Sequence, residues 1–177
     1  MKVSKTLSFD AAHQLVGHFG KCANLHGHTY KVEISLAGEN IQEGSSQGMV
    51  VDFYHVKQVA GKFIDRLDHA TLLQGNEPIA LANAVDTKRV LFGFRTTAEN
   101  MSRFLTWTLT QLMWKYARID SIKLWETPTG CAECTYYEIF TEEEIELYKN
   151  VTFINKDGDK EEVITVREIL EQEQVHG

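Results

Sequence analysis

Apolar and polar positions alternate in two stretches near the start of the chain. Val3, Leu7, Phe9, Ala11 and His13 share one parity, so a strand there turns His13 to the same side as its apolar residues. Tyr30, Val32, Ile34 and Leu36 share the even parity of a second strand, and His26 and His28 continue it backwards; Thr29, Lys31, Glu33 and Ser35 face the other way. Both strands thus predict imidazoles where core-facing side chains belong. Residues 38–48, rich in Gly, Ser and Gln, read as a loop before the short apolar piece "MVVDF".

The period then changes to that of a helix. Val56, Val59, Ala60, Phe63, Ile64 and Leu67 form one stripe, with Leu67 to His69 at its C-terminal end. A second helix fits residues 98–117, its stripe made by Met101, Phe104, Leu105, Leu109, Leu112, Met113 and Tyr116, with Thr97 as N-cap and Glu99 in the first turn. Residues 74–95 between these helices take no predicted element. Ile122, Leu124 and Glu126 share a strand face, which puts a carboxylate in a core-facing slot, and residues 132–140 form a further strand after the turn containing Pro128 and Gly130. The tail predicts an acidic helix from Glu142 to Tyr148, a hairpin around Asp157 and Gly158, and a short helix from Val166. The expected class is α+β: an antiparallel four-stranded sheet with two helices packed on one face. Residues 1–140 would form that domain, and residues 141–177 a C-terminal extension that is not an independent domain.

With 177 residues, 43% hydrophobic, the chain suits one domain with a substantial core. A formal charge of −7 argues against a nucleic-acid surface, although a local basic pocket on an acidic protein can still take an anionic small molecule. No apolar run reaches the length of a membrane span, and the N-terminus lacks the apolar core of a secretory signal, so a soluble cytoplasmic protein is expected. Cys22, Cys131 and Cys134 are an odd number at uneven spacing, which suits reduced thiols. Cys131 and Cys134 fall on opposite faces of a strand, so the pair is expected to be two unlinked thiols.

His13, His26 and His28 project from one face by parity. Three neutral imidazoles leave one position of a tetrahedral zinc open, as in catalytic sites. Any one of them alone reads more readily as a satisfied core histidine, and their joint parity reverses that preference; His-x-His pairs also occur in non-enzymatic metal modules, so the cluster points to a metal more firmly than to a reaction. The segments "FDAAH", "CANLHGHTY", "VVDF", "LDHATLL", "TTAEN" and "ETPTG" then occur in the order seen in the 6-pyruvoyl-tetrahydropterin synthase superfamily. Over residues 1–140 the chain resembles that superfamily. The three-residue gap between Cys22 and His26 is similar to that of the bacterial 6-carboxy-tetrahydropterin synthases of queuosine biosynthesis.

The resemblance implies a tunnelling fold (T-fold), Zn2+ held by His13, His26 and His28, and Cys22 as the proton-abstracting thiolate. It implies Asp68 and His69 as a second acid/base pair, Glu126 as the anchor of the pterin ring, and Thr97 and Glu99 near the pterin pocket. The residues themselves allow plainer readings: Asp68 and His69 at a helix C-terminus suit its dipole, and Thr97 and Glu99 cap a helix. Glu126 has independent support, since a carboxylate on the Ile122 and Leu124 face is costly to bury without a ligand. The implied substrate is 7,8-dihydroneopterin triphosphate, converted to 6-carboxy-5,6,7,8-tetrahydropterin, acetaldehyde and triphosphate. The implied assembly is a homo-oligomer, a hexamer of stacked rings with active sites shared between subunits. A pyruvoyl-forming synthase on the same substrate and a zinc- or pterin-binding protein without turnover are the competing readings. Residues 76–95 are longer than the usual connection, and their Lys88, Arg89 and Arg95 either reach the triphosphate or sit in a solvated loop.

Overall fold

The two histidine-bearing stretches become the longest ladder of the molecule. In the computed structural model, which describes residues 1–75 and 86–175, strand β1 (Lys2–His13) pairs antiparallel with β2 (His26–Ala37) from Lys2 opposite Ala37 to His13 opposite His26. The last rung of this ladder is therefore a pair of imidazoles. Strand β5 (Arg118–Thr127) joins β2 antiparallel, and β6 (Gly130–Thr135) closes that side. On the other side β3 (Ala70–Gln74) runs parallel to β1, and β4 (Arg89–Phe92) parallel to β3. The hairpin of β7 (Thr152–Asp157) and β8 (Lys160–Thr165) completes the order β6-β5-β2-β1-β3-β4-β7-β8.

Among the described residues the sheet thus has eight strands rather than the expected four, and it is mixed rather than antiparallel. Two of the additional strands, β7 and β8, are the hairpin expected around Asp157 and Gly158, whereas β3 and β4 were hard to read for a physical reason. "ATLLQ" and "RVLF", at five and four residues, are too short to establish a period of two. Their parallel pairing also depends on long connections that pattern alone does not predict. Residues 76–85, within the stretch that is longer than the usual connection, lie outside the described residues.

The described residues contain the two helices expected against the sheet and the two expected in the tail, besides a short 3-10 turn at Lys21–Ala23. Helix α1 begins as α-helix over Phe53–Val56, passes through a π-helical turn at Lys57–Gly61 and ends as α-helix over Lys62–Asp65, with Asp52 accepting from the Tyr54 N–H at its start. Helix α2 (Ala98–Met113) is capped by Thr97, which accepts from Asn100 N–H. Helix α3 (Glu142–Lys149) carries a reciprocal capping box between Thr141 and Glu144. Helix α4 (Val166–Val175) follows β8. None of the described helices is long and apolar enough to cross a membrane.

One face of the sheet and the helices share a single hydrophobic cluster. Phe9 and Tyr30 stack inside it at 4.8 Å between ring centroids, and both are fully buried. Val151, Phe153, Val166 and Ile169 of the last segment belong to the same cluster. The opposite face of β1 exposes Lys2, Ser4, Thr6, Ser8 and Asp10. Because side chains alternate, each strand offers an apolar side to the helices and a polar side away from them, and what matters for chemistry is which side each functional group takes.

Candidate metal centre and adjoining clefts

At the end of β1 and β2, His13, His26 and His28 place one ligand atom each within 4.8 Å of one another. Backbone carbonyls fix two of the tautomers. The Nδ1 of His13 lies 3.0 Å from the Thr96 carbonyl oxygen, and that of His26 lies 2.7 Å from the Asn24 carbonyl oxygen. A carbonyl can only accept, so each Nδ1 carries the proton, and in a neutral imidazole the other nitrogen is then bare. The two Nε2 atoms face each other at 3.2 Å with lone pair against lone pair. His28 Nε2 is buried without any hydrogen-bond partner.

This arrangement is unfavourable as a set of core histidines and well suited to a cation. Two nitrogens bound at about 2.05 Å on a tetrahedral metal stand roughly 3.3 Å apart, close to the separation observed. The outer carbonyls do what neighbours of metal-bound imidazoles do: they orient the ring and raise its basicity. Burial, together with the nearby His26 and His28, lowers the pKa of His13 to about 4 despite the opposing Thr96 carbonyl, and burial followed by His26 lowers that of His28. A ligand must bind in its neutral form, and His13 is neutral across the ordinary pH range. The donor set fits a metal ion with one position left for a ligand.

Glu126 borders this position. A register irregularity in the β5–β6 ladder falls between Trp125 and Thr127, so Glu126 has no partner across the strand and its side chain turns toward His13, with Oε1 3.6 Å from His13 Nε2. That oxygen is buried and accepts no hydrogen bond. Burial and the charge of Glu99 raise the Glu126 carboxyl above its usual pKa, against the smaller opposing effect of His26. Glu99 therefore acts on the site electrostatically from the first turn of α2, while Thr97 serves as the cap of that helix. Glu126 and His28 line one wall of a cleft of about 700 Å³ that also includes Trp125, Pro128, Thr29 and Lys31.

Cys22 lies in a short 3-10 turn, Lys21–Ala23, on the loop that joins the two ligand-bearing strands. The loop is held at several points: the Leu15 N–H donates to the Cys22 carbonyl at 2.8 Å, the Gln14 amide to the Ala23 carbonyl at 2.7 Å, and the Arg95 guanidinium to the Val16 carbonyl at 3.0 Å. The thiol is half-buried and free. Cys131 is exposed and Cys134 buried, both unlinked, as their opposite parity in β6 requires.

Asp68 and His69 form a direct pair in the turn between α1 and β3. His69 Nδ1 lies 2.7 Å from Asp68 Oδ2, and the other carboxylate oxygen accepts the Asp10 N–H at 2.8 Å. The His69 N–H donates to the Asp10 carbonyl at 2.7 Å, so both backbone groups of one β1 residue hold the turn. His69 has φ 56, the left-handed region that a histidine rarely occupies. Burial works against ionisation of Asp68, but the Asp10 N–H, His69 and Lys88 outweigh it and hold the carboxyl below its usual pKa. The His69 side chain is 79% exposed and lines a shallow cleft of about 450 Å³ with Asp10, Thr29 and His28. Among the described residues no hydrogen bond or ion pair joins Asp68 or His69 to the imidazole cluster.

Several contributors were not visible in the sequence. Thr96 holds His13 through a backbone carbonyl, which no side-chain motif reports. Asp10 positions Asp68 through its own backbone, and its side chain takes a hydrogen bond from Thr29. Lys88 does not sit in a solvated loop: its ammonium donates to the carbonyls of Asp68 at 2.6 Å and Asp65 at 2.9 Å. Arg89 pairs with Glu161 at 3.0 Å.

Comparison with known proteins bears on the fold and the family. The family model described as 6-pyruvoyl tetrahydropterin synthase matches residues 2–136. A 6-carboxy-5,6,7,8-tetrahydropterin synthase from Haemophilus influenzae is 43% identical over 143 residues, covering 77% of this chain and 99% of that protein. Among solved structures, an uncharacterized protein from Wolinella succinogenes superposes with a TM-score of 0.63 at 20% identity, over 77% of this chain and 98% of its own. The 6-pyruvoyl tetrahydropterin synthase of Caenorhabditis elegans superposes with a TM-score of 0.56 at 23% identity, over 76% and 94%. The chain belongs to the 6-pyruvoyl tetrahydropterin synthase family, and its α+β architecture is the T-fold.

Proposed function

We propose that the chain is a zinc-dependent 6-carboxy-5,6,7,8-tetrahydropterin synthase, acting in the cytoplasm on 7,8-dihydroneopterin triphosphate in queuosine and 7-deazaguanine biosynthesis. The observation that carries this reading is the pair of bare Nε2 atoms facing each other at 3.2 Å, with the orphaned His28 nitrogen and the unpartnered Glu126 oxygen beside them. A metal and a hydrogen-bond-donating ligand would satisfy all four atoms at once. The relative from Haemophilus influenzae, named for this activity, is aligned across nearly its whole length.

In this reading His13, His26 and His28 hold zinc, which when bound supplies Lewis acidity toward the hydroxyls of the substrate side chain. Glu126 accepts two N–H groups from the aminopyrimidine edge, and the bidentate contact fixes the ring. Cys22, as the thiolate, removes a proton from the side-chain carbon while the C–O bond to triphosphate breaks. Asp68, kept ionised by its donors, holds the Nδ1 proton of His69, so Nε2 is the atom that exchanges protons with the other end of the side chain. Cleavage of the bond between the first two side-chain carbons, with water supplying the second carboxylate oxygen, then releases acetaldehyde. Sharing of sites within a homo-oligomer belongs to the same reading: the exposed His69 would then serve a site completed by a neighbouring subunit.

The test is to incubate zinc-loaded protein with 7,8-dihydroneopterin triphosphate and identify products by mass spectrometry with trapping of volatile aldehyde. Acetaldehyde and 6-carboxy-tetrahydropterin are expected, and a 6-pyruvoyl product would move the chain to the neighbouring activity. Cys22→Ala is expected to abolish turnover with zinc still bound; full turnover in that variant would remove the central proton transfer.

A further inference from the structure

A second cavity, of about 330 Å³, lies on the seam between the segment matched by the family model, residues 2–136, and the β7–β8 hairpin beyond it. Lys62 and Arg66 enter it from the end of α1, Lys88 and Arg89 from the start of β4, and Asp65 and Glu162 are the carboxylates in its wall. Four cations against two carboxylates reverse the balance of a chain whose formal charge is −7. Like charges gathered in a concave site raise its potential well above that of an open surface.

The cations differ in what already occupies them. Arg89 is neutralised by Glu161. Lys88 donates to two carbonyl oxygens and makes no direct ion pair, although the Asp68 carboxylate feels its charge. Among the described residues neither Lys62 nor Arg66 forms an ion pair with a carboxylate. The Arg66 guanidinium lies 6.0 Å from the centre of the Phe153 ring, whose side chain comes from the hairpin. A guanidinium held against an aromatic ring keeps N–H groups for a planar two-point contact, the contact phosphate oxygens make best.

We propose that this cavity binds a phosphate-bearing anion, held by Lys62 and Arg66 with Lys88 behind them. The size suits a phosphate or short polyphosphate group rather than a whole dinucleotide. The location gives binding a consequence, because Lys88 also touches the Asp68 carbonyl and so ties the cavity to the turn that presents His69. The site stands on its own lining residues and does not depend on the reaction proposed above. Its ligand would be either the phosphate tail of a substrate or a separate phosphate compound.

The probe is sodium tripolyphosphate, titrated into the protein by calorimetry at low ionic strength. Because tripolyphosphate also chelates metals, the titration is repeated with a His26→Ala/His28→Ala chain, in which binding at the cavity should persist. Lys62→Ala/Arg66→Ala is expected to weaken binding at least tenfold, Lys160→Ala on the hairpin turn to leave it unchanged, and Glu162→Gln to tighten it a few-fold. The last result cannot come from misfolding. No binding by the wild-type chain, or equal affinity in Lys62→Ala/Arg66→Ala, would overturn the proposal. If the double variant also raises KM for a pterin triphosphate, the tail of the substrate is the occupant; an unchanged KM with lost tripolyphosphate binding identifies a separate ligand.

Discussion

The imidazole cluster and the Asp68–His69 pair are both made of groups that hold or move protons, yet they are built in opposite ways. The cluster is desolvated and incomplete: His13 is fully buried, two bare nitrogens face each other, and His28 Nε2 and Glu126 Oε1 have no partners. The pair is exposed and complete at its inner end: both carboxylate oxygens of Asp68 are occupied, and His69 is 79% exposed. Unpaired polar atoms in a buried site are destabilising unless a ligand satisfies them, so the cluster is built for a partner that arrives and stays. A group that exchanges protons with a passing substrate needs a fixed orientation and an open outer atom, which the pair has.

The largest effect that can break this contrast is removal of a ligand from the cluster. His28→Ala is expected to lose bound metal and, with it, about a thousandfold or more in turnover, since a metal contributes several kcal/mol to transition-state stabilisation. Metal analysis on the purified variant decides the point; a variant that retains one equivalent of metal would show that the cluster is not the binding site. Next in size is Asp68→Asn, which keeps the shape of the pair but loses the charge that orients His69. Turnover should fall about 100-fold with metal content unchanged. A loss of metal in this variant would mean that the two regions are one unit.

A third substitution sharpens the contrast by supplying a cluster that is partly exposed, charged and satisfied. Arg103 donates to Glu144 at 2.9 Å and to the Ile139 carbonyl at 2.9 Å, pairs with Glu138 at 3.3 Å and lies over the Phe140 ring. With each of its three nitrogens engaged, it fastens α3 to α2. Arg103→Ala is therefore expected to lower stability by about 1–3 kcal/mol in denaturant unfolding while leaving metal content intact.

Legibility in the sequence follows the same physical division. Parity alone brought His13, His26 and His28 to one face and put Glu126 beside Ile122 and Leu124, because strand period and burial act on those residues directly. The Thr97 cap was legible for a similar reason, since an N-cap is a local arrangement of side chain and backbone. Strands β3 and β4 were not, being short buried runs whose parallel partners lie far away in sequence. The groups that orient the site escaped notice where they act through the backbone: the Thr96 carbonyl behind His13, and both backbone groups of Asp10 behind the Asp68–His69 turn. The Asp68–His69 contact itself depends on the left-handed backbone at His69, which follows from the turn and not from the residue type.

The smallest effect concerns two phenols that lie on either side of this division. Tyr30 sits among the imidazoles with its hydroxyl buried and unpartnered, whereas Tyr148 packs on α3 beside Arg103 and Glu144. Burial, followed by Glu144, raises Tyr148 from 10.0 to about 12 against the opposing Arg103, and burial followed by Glu126 raises Tyr30 further still. In the unfolded chain a tyrosine releases its proton at lower pH than either group does in the folded one, so above pH 10 the unfolded state binds fewer protons. Stability is then complete below pH 10 and falls as pH rises toward 12, by up to about 1.4 kcal/mol per pH unit for each phenol. Tyr148→Phe should flatten part of that fall in thermal melts across this window, and the remainder should belong to Tyr30. If Tyr148→Phe melts with the same alkaline dependence as the wild-type chain, the strain of ionisation lies wholly in the metal-site region, and α3 is not packed as tightly against α2 as the Arg103 contacts require.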